Sequence, residues 1–205
     1  GDNRKADFYR MPDGEVRVLD GGIMRRREKL WKSAGVVVPV FALRSERSCG
    51  VGDFGDLKLM ADWAAANGMK IIQLLPVNDT TMQHNWNDSY PYNTISVNAL
   101  HPQYVNLDDA GRLANNGSML DFNRRRSELN NLPFTDYEAV EKVKTEYLRE
   151  LYADCEEKLA SDEQFAKFKK ENEDWLVPYA AFCILRDKYH TARFSDWKED
   201  AVYNR

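Results

Sequence analysis

The run Trp86-Asn87-Asp88-Ser89-Tyr90-Pro91-Tyr92-Asn93 is the part of the chain with the densest side-chain chemistry. A sugar ring has a face of C–H bonds and an edge of hydroxyls. A site for one needs aromatic planes for the face, and short amide, hydroxyl and carboxylate groups for the edge. This segment supplies Trp86, Tyr90 and Tyr92 as planes, with Asp88, Ser89 and Asn93 beside them. The competing arrangement is a surface turn whose rings pack inward.

Other chemistries find less support. Asp53, Asp79 and Asp88 fall in or beside the loops after two candidate strands, but no two stand out as an acid–base pair. Asp53 and Asp79 read as turn or loop anchors. His84, His101 and His190 are isolated in sequence and read as structural or solvent-facing, and no Ser, Cys or Lys has an activating neighbour. No metal-ligand spacing occurs, and no cofactor is expected. Cys49, Cys155 and Cys183 form no CxxC, which fits free thiols in a reducing, cytoplasmic compartment. Gly50-Val51-Gly52-Asp53-Phe54-Gly55 matches GxGxxG. A dinucleotide fingerprint needs its first glycine directly off the strand and an acidic residue closing the second strand. Here Arg44 to Cys49 intervene, and the second strand ends Leu74-Leu75-Pro76. Glycines required for a compact turn explain the run better.

The elements that would position these residues can be read from periodicity. Val36 to Leu43 is a continuous apolar run, expected as a strand buried on both faces, with Pro39 an anomaly inside it. Residues 56–66 carry Leu57, Met60, Ala61 and Ala64 at helical spacing, closed by Asn67-Gly68. Ile71 to Leu75 reads as a second strand, so the segment is expected to be a βαβ unit with parallel pairing. Residues 78–104 follow as a long polar and aromatic loop, whose rings argue for order. Beyond them, Thr135 with Glu138 reads as a capping box before the stripe Tyr137, Val140, Tyr147, Leu151, Cys155, Leu159. Ser161 with Gln164 opens a short helix, and a third helix runs from Trp175 to Tyr189 with Pro178 near its start. Residues 1–34 read as a lead-in, with turns at Asp13-Gly14 and Asp20-Gly21-Gly22 around short β-favouring pieces. The Arg25-Arg26-Arg27 triplet within it reads as a solvated face.

The totals narrow the class. The chain has 205 residues, 43% of them apolar, and a net charge of −4. Nucleic acid and anionic membrane are poor partners for that charge, and no apolar run approaches the roughly 20 residues of a membrane span. The start without Met and the stop just after a periodic segment suggest an excerpt of something longer.

Four motifs, in order and with matching gaps, resemble the opening of the 4-α-glucanotransferases of glycoside hydrolase family 77. They are Val38-Pro39-Val40-Phe41-Ala42-Leu43-Arg44, Gly50-Val51-Gly52-Asp53-Phe54, Gln73-Leu74-Leu75-Pro76-Val77-Asn78-Asp79-Thr80 and Asp88-Ser89-Tyr90-Pro91-Tyr92-Asn93. Glu173 to Phe182 matches further on. The subgroup it resembles most carries starch-binding modules before its catalytic barrel and transfers glucose from maltose to glycogen-like polysaccharide. The resemblance implies an α/β fold, the first part of a (β/α)8 TIM barrel with a long loop and an added helical subdomain (135–190). Residues 35–205 would be the amino-terminal part of that barrel, and 1–34 the end of a starch-binding module. It implies α-1,4-glucan and maltose as partners and a retaining transfer, with the catalytic carboxylates on later strands beyond Arg205. It places the family's Ser-Pro-Tyr segment on Ser89 to Tyr92, with an extra Tyr90 inside. Tyr92 would then face the sugar and Ser89 bond a hydroxyl, with Trp86, Asp88 and Asn93 in the same cleft. A non-catalytic α-glucan-binding module and an α-amylase-like hydrolase fragment are the alternatives.

Overall fold

The computed structural model describes three strands within residues 7–25 and all residues from 32 to 202. The chain divides into two compact units, Gly1–Ala34 and Gly35–Arg205. In the first, β1 (Asp7–Arg10), β2 (Val16–Asp20) and β3 (Ile23–Arg25) form an antiparallel sheet in sequence order. Arg10 pairs with Val16, and Asp20 with Ile23. The glycines of the two expected turns, and Arg26 and Arg27, lie outside the described residues.

The second unit opens with the expected βαβ arrangement. β4 (Gly35–Val37) and β5 (Ile71–Gln73) pair in parallel, Val36 opposite Ile72, with α1 (Phe54–Ala66) between them in the chain. The first strand is shorter than its apolar run. The Val38 amide still donates to the Gln73 carbonyl at 2.9 Å, but Pro39 has no N–H, and Val40–Ala42 turns into a short 3-10 helix. Burial of both faces, expected from that run, is not found. Val37 is 65% and Ile71 43% exposed, because among the described residues no further strand pairs with this two-stranded sheet and nothing covers the face they share, while Val36 and Ile72 on the other face are half-buried.

The glycine run does what compact turns require. Gly50 has φ +72°, in the left-handed region, and a Cβ on Gly52 would stand 2.1 Å from the Val40 carbonyl oxygen. Asp53 then caps α1. Its carboxylate accepts from the amides of Gly55 and Asp56, and the Asp56 carboxylate accepts in return from the Asp53 amide at 3.0 Å. The helix begins at Phe54, two residues before the expected start at residue 56, because this box supplies the nucleus.

Five more helices follow the loop among the described residues: α2 (Leu107–Ala110), α3 (Asn116–Asn130), α4 (Tyr137–Ala160), α5 (Glu163–Glu171) and α6 (Glu173–Tyr189). The caps of α4 and α5 fall one residue later than the capping boxes suggest. Asp136 accepts from the Ala139 amide and Asp162 from the Phe165 amide, while Thr135 Oγ1 instead accepts from Arg44. A carboxylate with two acceptor oxygens won each end. The main core joins Cys49 and Val51 to Leu107, Leu113, Phe122, Leu129, Val140, Val143 and Tyr147. It therefore lies among α2, α3 and α4, where the Phe122 and Tyr147 rings are 4.4 Å apart. Beside it Lys144 is buried, donating to the carbonyls of Gln103 (2.6 Å) and Val105 (2.8 Å), with Asp53 Oδ2 at 3.7 Å. Burial lowers its pKa, and Asp53 opposes that shift.

Candidate functional site

The aromatic loop is closed at its base. Asn78 bridges Leu100 antiparallel, the Asp79 amide donates to Ala99 O (2.9 Å), the Ile95 amide to Asp79 O (2.8 Å), and the His101 amide to Val77 O (2.9 Å). Long connections that hold fixed conformations do so through such internal bonds. Inside the base, Asp79 Oδ1 accepts from the amide and hydroxyl of Thr81, at 3.0 and 2.6 Å. Its Oδ2 accepts from the Tyr179 hydroxyl of α6 at 2.6 Å. Arg186, about two turns further along the same helix face, donates to Thr81 O at 2.7 Å. Asp79 is thus the loop anchor that the sequence suggests, and α6 is what it anchors to.

At the tip, residues 86–89 form a 3-10 turn capped by Asn85, which accepts from the Asn87 amide. Asp88 is buried, and its Oδ2 accepts from the amides of Gln83 (2.8 Å) and His84 (2.7 Å). Thr80 Oγ1 donates to Asp88 O at 2.5 Å. The carboxylate therefore faces into the loop and organises it. Ser89 is half-buried, and Asn93 closes the following turn with its amide on Tyr90 O (3.2 Å) and its side chain on Met82 Sδ (3.6 Å).

The rings point outward. Trp86 is 61%, Tyr90 60% and Tyr92 58% exposed. Tyr90 and Tyr92 lie 5.6 Å apart with planes inclined at 49°. Tyr104, at the end of the loop, is buried instead against Phe54 and His101. The structure thus groups Trp86, Tyr90 and Tyr92 on an ordered, solvent-facing tip, with Ser89 and Asn93 between and beside them, and turns Asp88 inward.

The histidines are less isolated than their sequence positions suggest. His101 is buried, accepting from the Gln103 amide at Nδ1 (3.2 Å), which leaves Nε2–H to donate to the Tyr137 hydroxyl (2.8 Å). Burial pushes its pKa down to about 4, so it stays neutral. His190 ends α6 in the left-handed region, at φ +54°. His84 contacts two carboxylates from two helices, Glu141 Oε1 of α4 at Nδ1 and Asp187 Oδ1 of α6 at Nε2 (2.8 Å). Glu138 of α4 accepts from the Trp86 amide at 3.1 Å. These residues enclose an open cleft of about 560 Å³ between the loop, α4 and α6. Its partners lie 57 and 103 residues from His84, beyond the reach of motif reading.

Chemically, the tip offers stacking surfaces and hydrogen-bonding edges without a free acid–base pair. Asp53, Asp79 and Asp88 are all engaged in holding backbone. No cluster of His, Cys, Asp or Glu suited to a metal occurs among the described residues, and no helix among them is long and apolar enough to cross a membrane.

Residues 38–205 match the family model of 4-alpha-glucanotransferase, glycoside hydrolase family 77. The chain belongs to this family. A rice (Oryza sativa subsp. japonica) 4-alpha-glucanotransferase DPE2 is 40% identical over 200 residues, covering 96% of this chain and 21% of that protein. The 4-alpha-glucanotransferase of Chlamydia caviae is 34% identical over 177 residues, 82% of this chain and 32% of its own length. That of Synechocystis is 29% identical over 161 residues, 75% and 30% respectively. The chain spans about a fifth to a third of these glucanotransferases. The matched region holds α1, β5, the exposed aromatic tip and the helical layer, and begins directly after β4.

Proposed function

We propose that this chain is the sugar-contacting, amino-terminal part of a 4-α-glucanotransferase that moves glucosyl or maltooligosyl units between α-1,4-glucans. The observation that carries this reading is the trio of exposed rings, Trp86, Tyr90 and Tyr92, on a rigidly anchored loop in a member of this family. Tyr92 stacks on a donor sugar, Ser89 bonds a nearby hydroxyl, and Trp86 and Asn93 border the same cleft. Asp88 acts on the sugar through the loop that it shapes. The parallel βαβ unit begins a (β/α)8 barrel, in which loops after the strands build the site.

In this reading the reacting carboxylates come from other strands of the barrel. A retaining transfer uses a nucleophile and an acid/base roughly 5 Å apart and passes through a glycosyl-enzyme ester. Transfer wins over hydrolysis only if a sugar hydroxyl reaches that ester before water does. The anchored 78–104 loop supplies part of the wall that excludes water. Residues 1–34 are the end of a starch-binding module, maltose is a donor and a glycogen-like polysaccharide an acceptor, and the enzyme is cytoplasmic.

In the enzyme that contains this chain, Tyr92→Ala is expected to lower kcat/KM for the glucan donor about fivefold, equivalent to about 1 kcal/mol of lost stacking. Steady-state kinetics with maltooligosaccharide donors check this, and unchanged donor kinetics would remove Tyr92 from the site. Maltose plus glycogen should yield free glucose and lengthened outer chains. Glucose release without chain lengthening would favour a hydrolase.

A further inference from the structure

His84 stands at the foot of the aromatic tip in an unusual backbone state. Its φ of +56° lies in the left-handed region, which a non-glycine residue adopts only when its surroundings hold it there. Three carboxylates do the holding. The His84 amide donates to Asp88 Oδ2 at 2.7 Å. The ring meets Glu141 of α4 through Nδ1 and Asp187 of α6 through Nε2, the latter at 2.8 Å.

A neutral imidazole has one N–H and one lone pair, and a lone pair aimed at a carboxylate oxygen is repelled. Both ring contacts are favourable together only when both nitrogens carry protons. We propose that the His84 imidazolium is a positioning residue for the aromatic tip, a pH-dependent clasp that ties the loop to α4 and α6 at once. This rests on reading the tip as a glucan subsite. Trp86 lies two residues away, and its amide is held by Glu138, one helical turn before Glu141.

The charges around the ring favour the protonated form. From α4 it faces Glu138, Glu141, Lys142 and Arg149. From α6 it faces Arg186, Asp187 and His190, and from its own loop the buried Asp88. Arg186 opposes protonation, but its guanidinium is engaged with Asp187 and the Thr81 carbonyl. Burial also works against the charged ring, yet the hydrogen bonds to Asp187 and Glu141 outweigh it. The His84 pKa is therefore raised above its ordinary value of 6.5. The sign follows from linkage: the stabilisation is complete below the unfolded-state value and is lost as pH rises through the raised folded value. The tip is thus held below the raised value and loosened as pH rises through it.

The test is an NMR titration of the His84 ring in the enzyme that contains this chain, with maltopentaose binding measured across the same pH range. The expected results are a ring pKa above 6.5 that falls in Glu141→Gln, and affinity roughly threefold or more weaker above that pKa than below it. His84→Gln should bind weakly with a flat pH profile. His84→Arg, which keeps charge and two donors, should restore binding on the alkaline side. A ring that titrates at or below the ordinary histidine value overturns the proposal, as does a pH profile shared by the wild type and His84→Gln. Should maltopentaose bind at no pH even to the wild type, the subsite reading fails. The clasp is then judged by amide exchange across residues 83–89. Exchange that speeds as His84 deprotonates supports the clasp, and exchange indifferent to it refutes it.

Discussion

Tyr179 lies 100 residues from Asp79, and its hydroxyl donates to a carboxylate that is otherwise closed off from water. Tyr179→Phe keeps the ring and leaves Asp79 Oδ2 without that donor, which should cost about 1–3 kcal/mol. Thermal unfolding gives the size, and faster amide exchange confined to residues 78–101 would show that the loop base is where it is lost. The contrast between Trp86 or Tyr92 and His84 explains what could be read at this scale. Ring planes beside short polar groups suggest the proposed sugar surface from neighbouring residues alone. The role of His84 depends on Glu141 and Asp187, which only the packing of α4 beside α6 brings to it, and the inward turn of Asp88 depends on a loop conformation that no spacing encodes.

The elements were legible in proportion to their apolar periodicity. The parallel strands and α1 follow from local pattern and from the Asn67-Gly68 stop, and Pro39 marks where β4 ends. α3 was not legible, because only Phe122 and Leu129 of its residues are buried and most of its remaining surface is polar. It is held instead by Arg124 between Asp121 and Glu128, and by Arg126 reaching Asp108. Its aromatic contribution to the core should be correspondingly costly to remove: Phe122→Ala is expected to destabilise by about 3–5 kcal/mol, measurable by denaturant unfolding. The shifted caps give a sharper comparison. Asp136→Ala should cost about 1 kcal/mol by removing the acceptor for the Ala139 amide. Thr135→Ala should cost less, since Thr135 serves the exposed Arg44 guanidinium instead of the helix end.

At the level of the whole molecule, the second unit carries its apolar core among the helices and leaves its parallel strands bare. Val37 and Ile71 on the strands, and Val177 and Ile184 on α6, are exposed. Surfaces of this kind on an isolated polypeptide promote association. These 205 residues alone are expected to self-associate at micromolar concentration. Val37→Thr combined with Ile71→Thr should shift the sedimentation profile toward monomer.

The ammonium of Lys144 has a practical consequence. With its protons directed at Gln103 O, Val105 O and Asp53, it is sealed from reagents that acylate amines, whereas Lys142 and Lys167 on the neighbouring surface are open to them. Brief acetylation followed by peptide mass spectrometry should mark those two and spare Lys144. The appearance of the Lys144 label during heating would then time the moment at which the helical layer parts from the end of the aromatic loop.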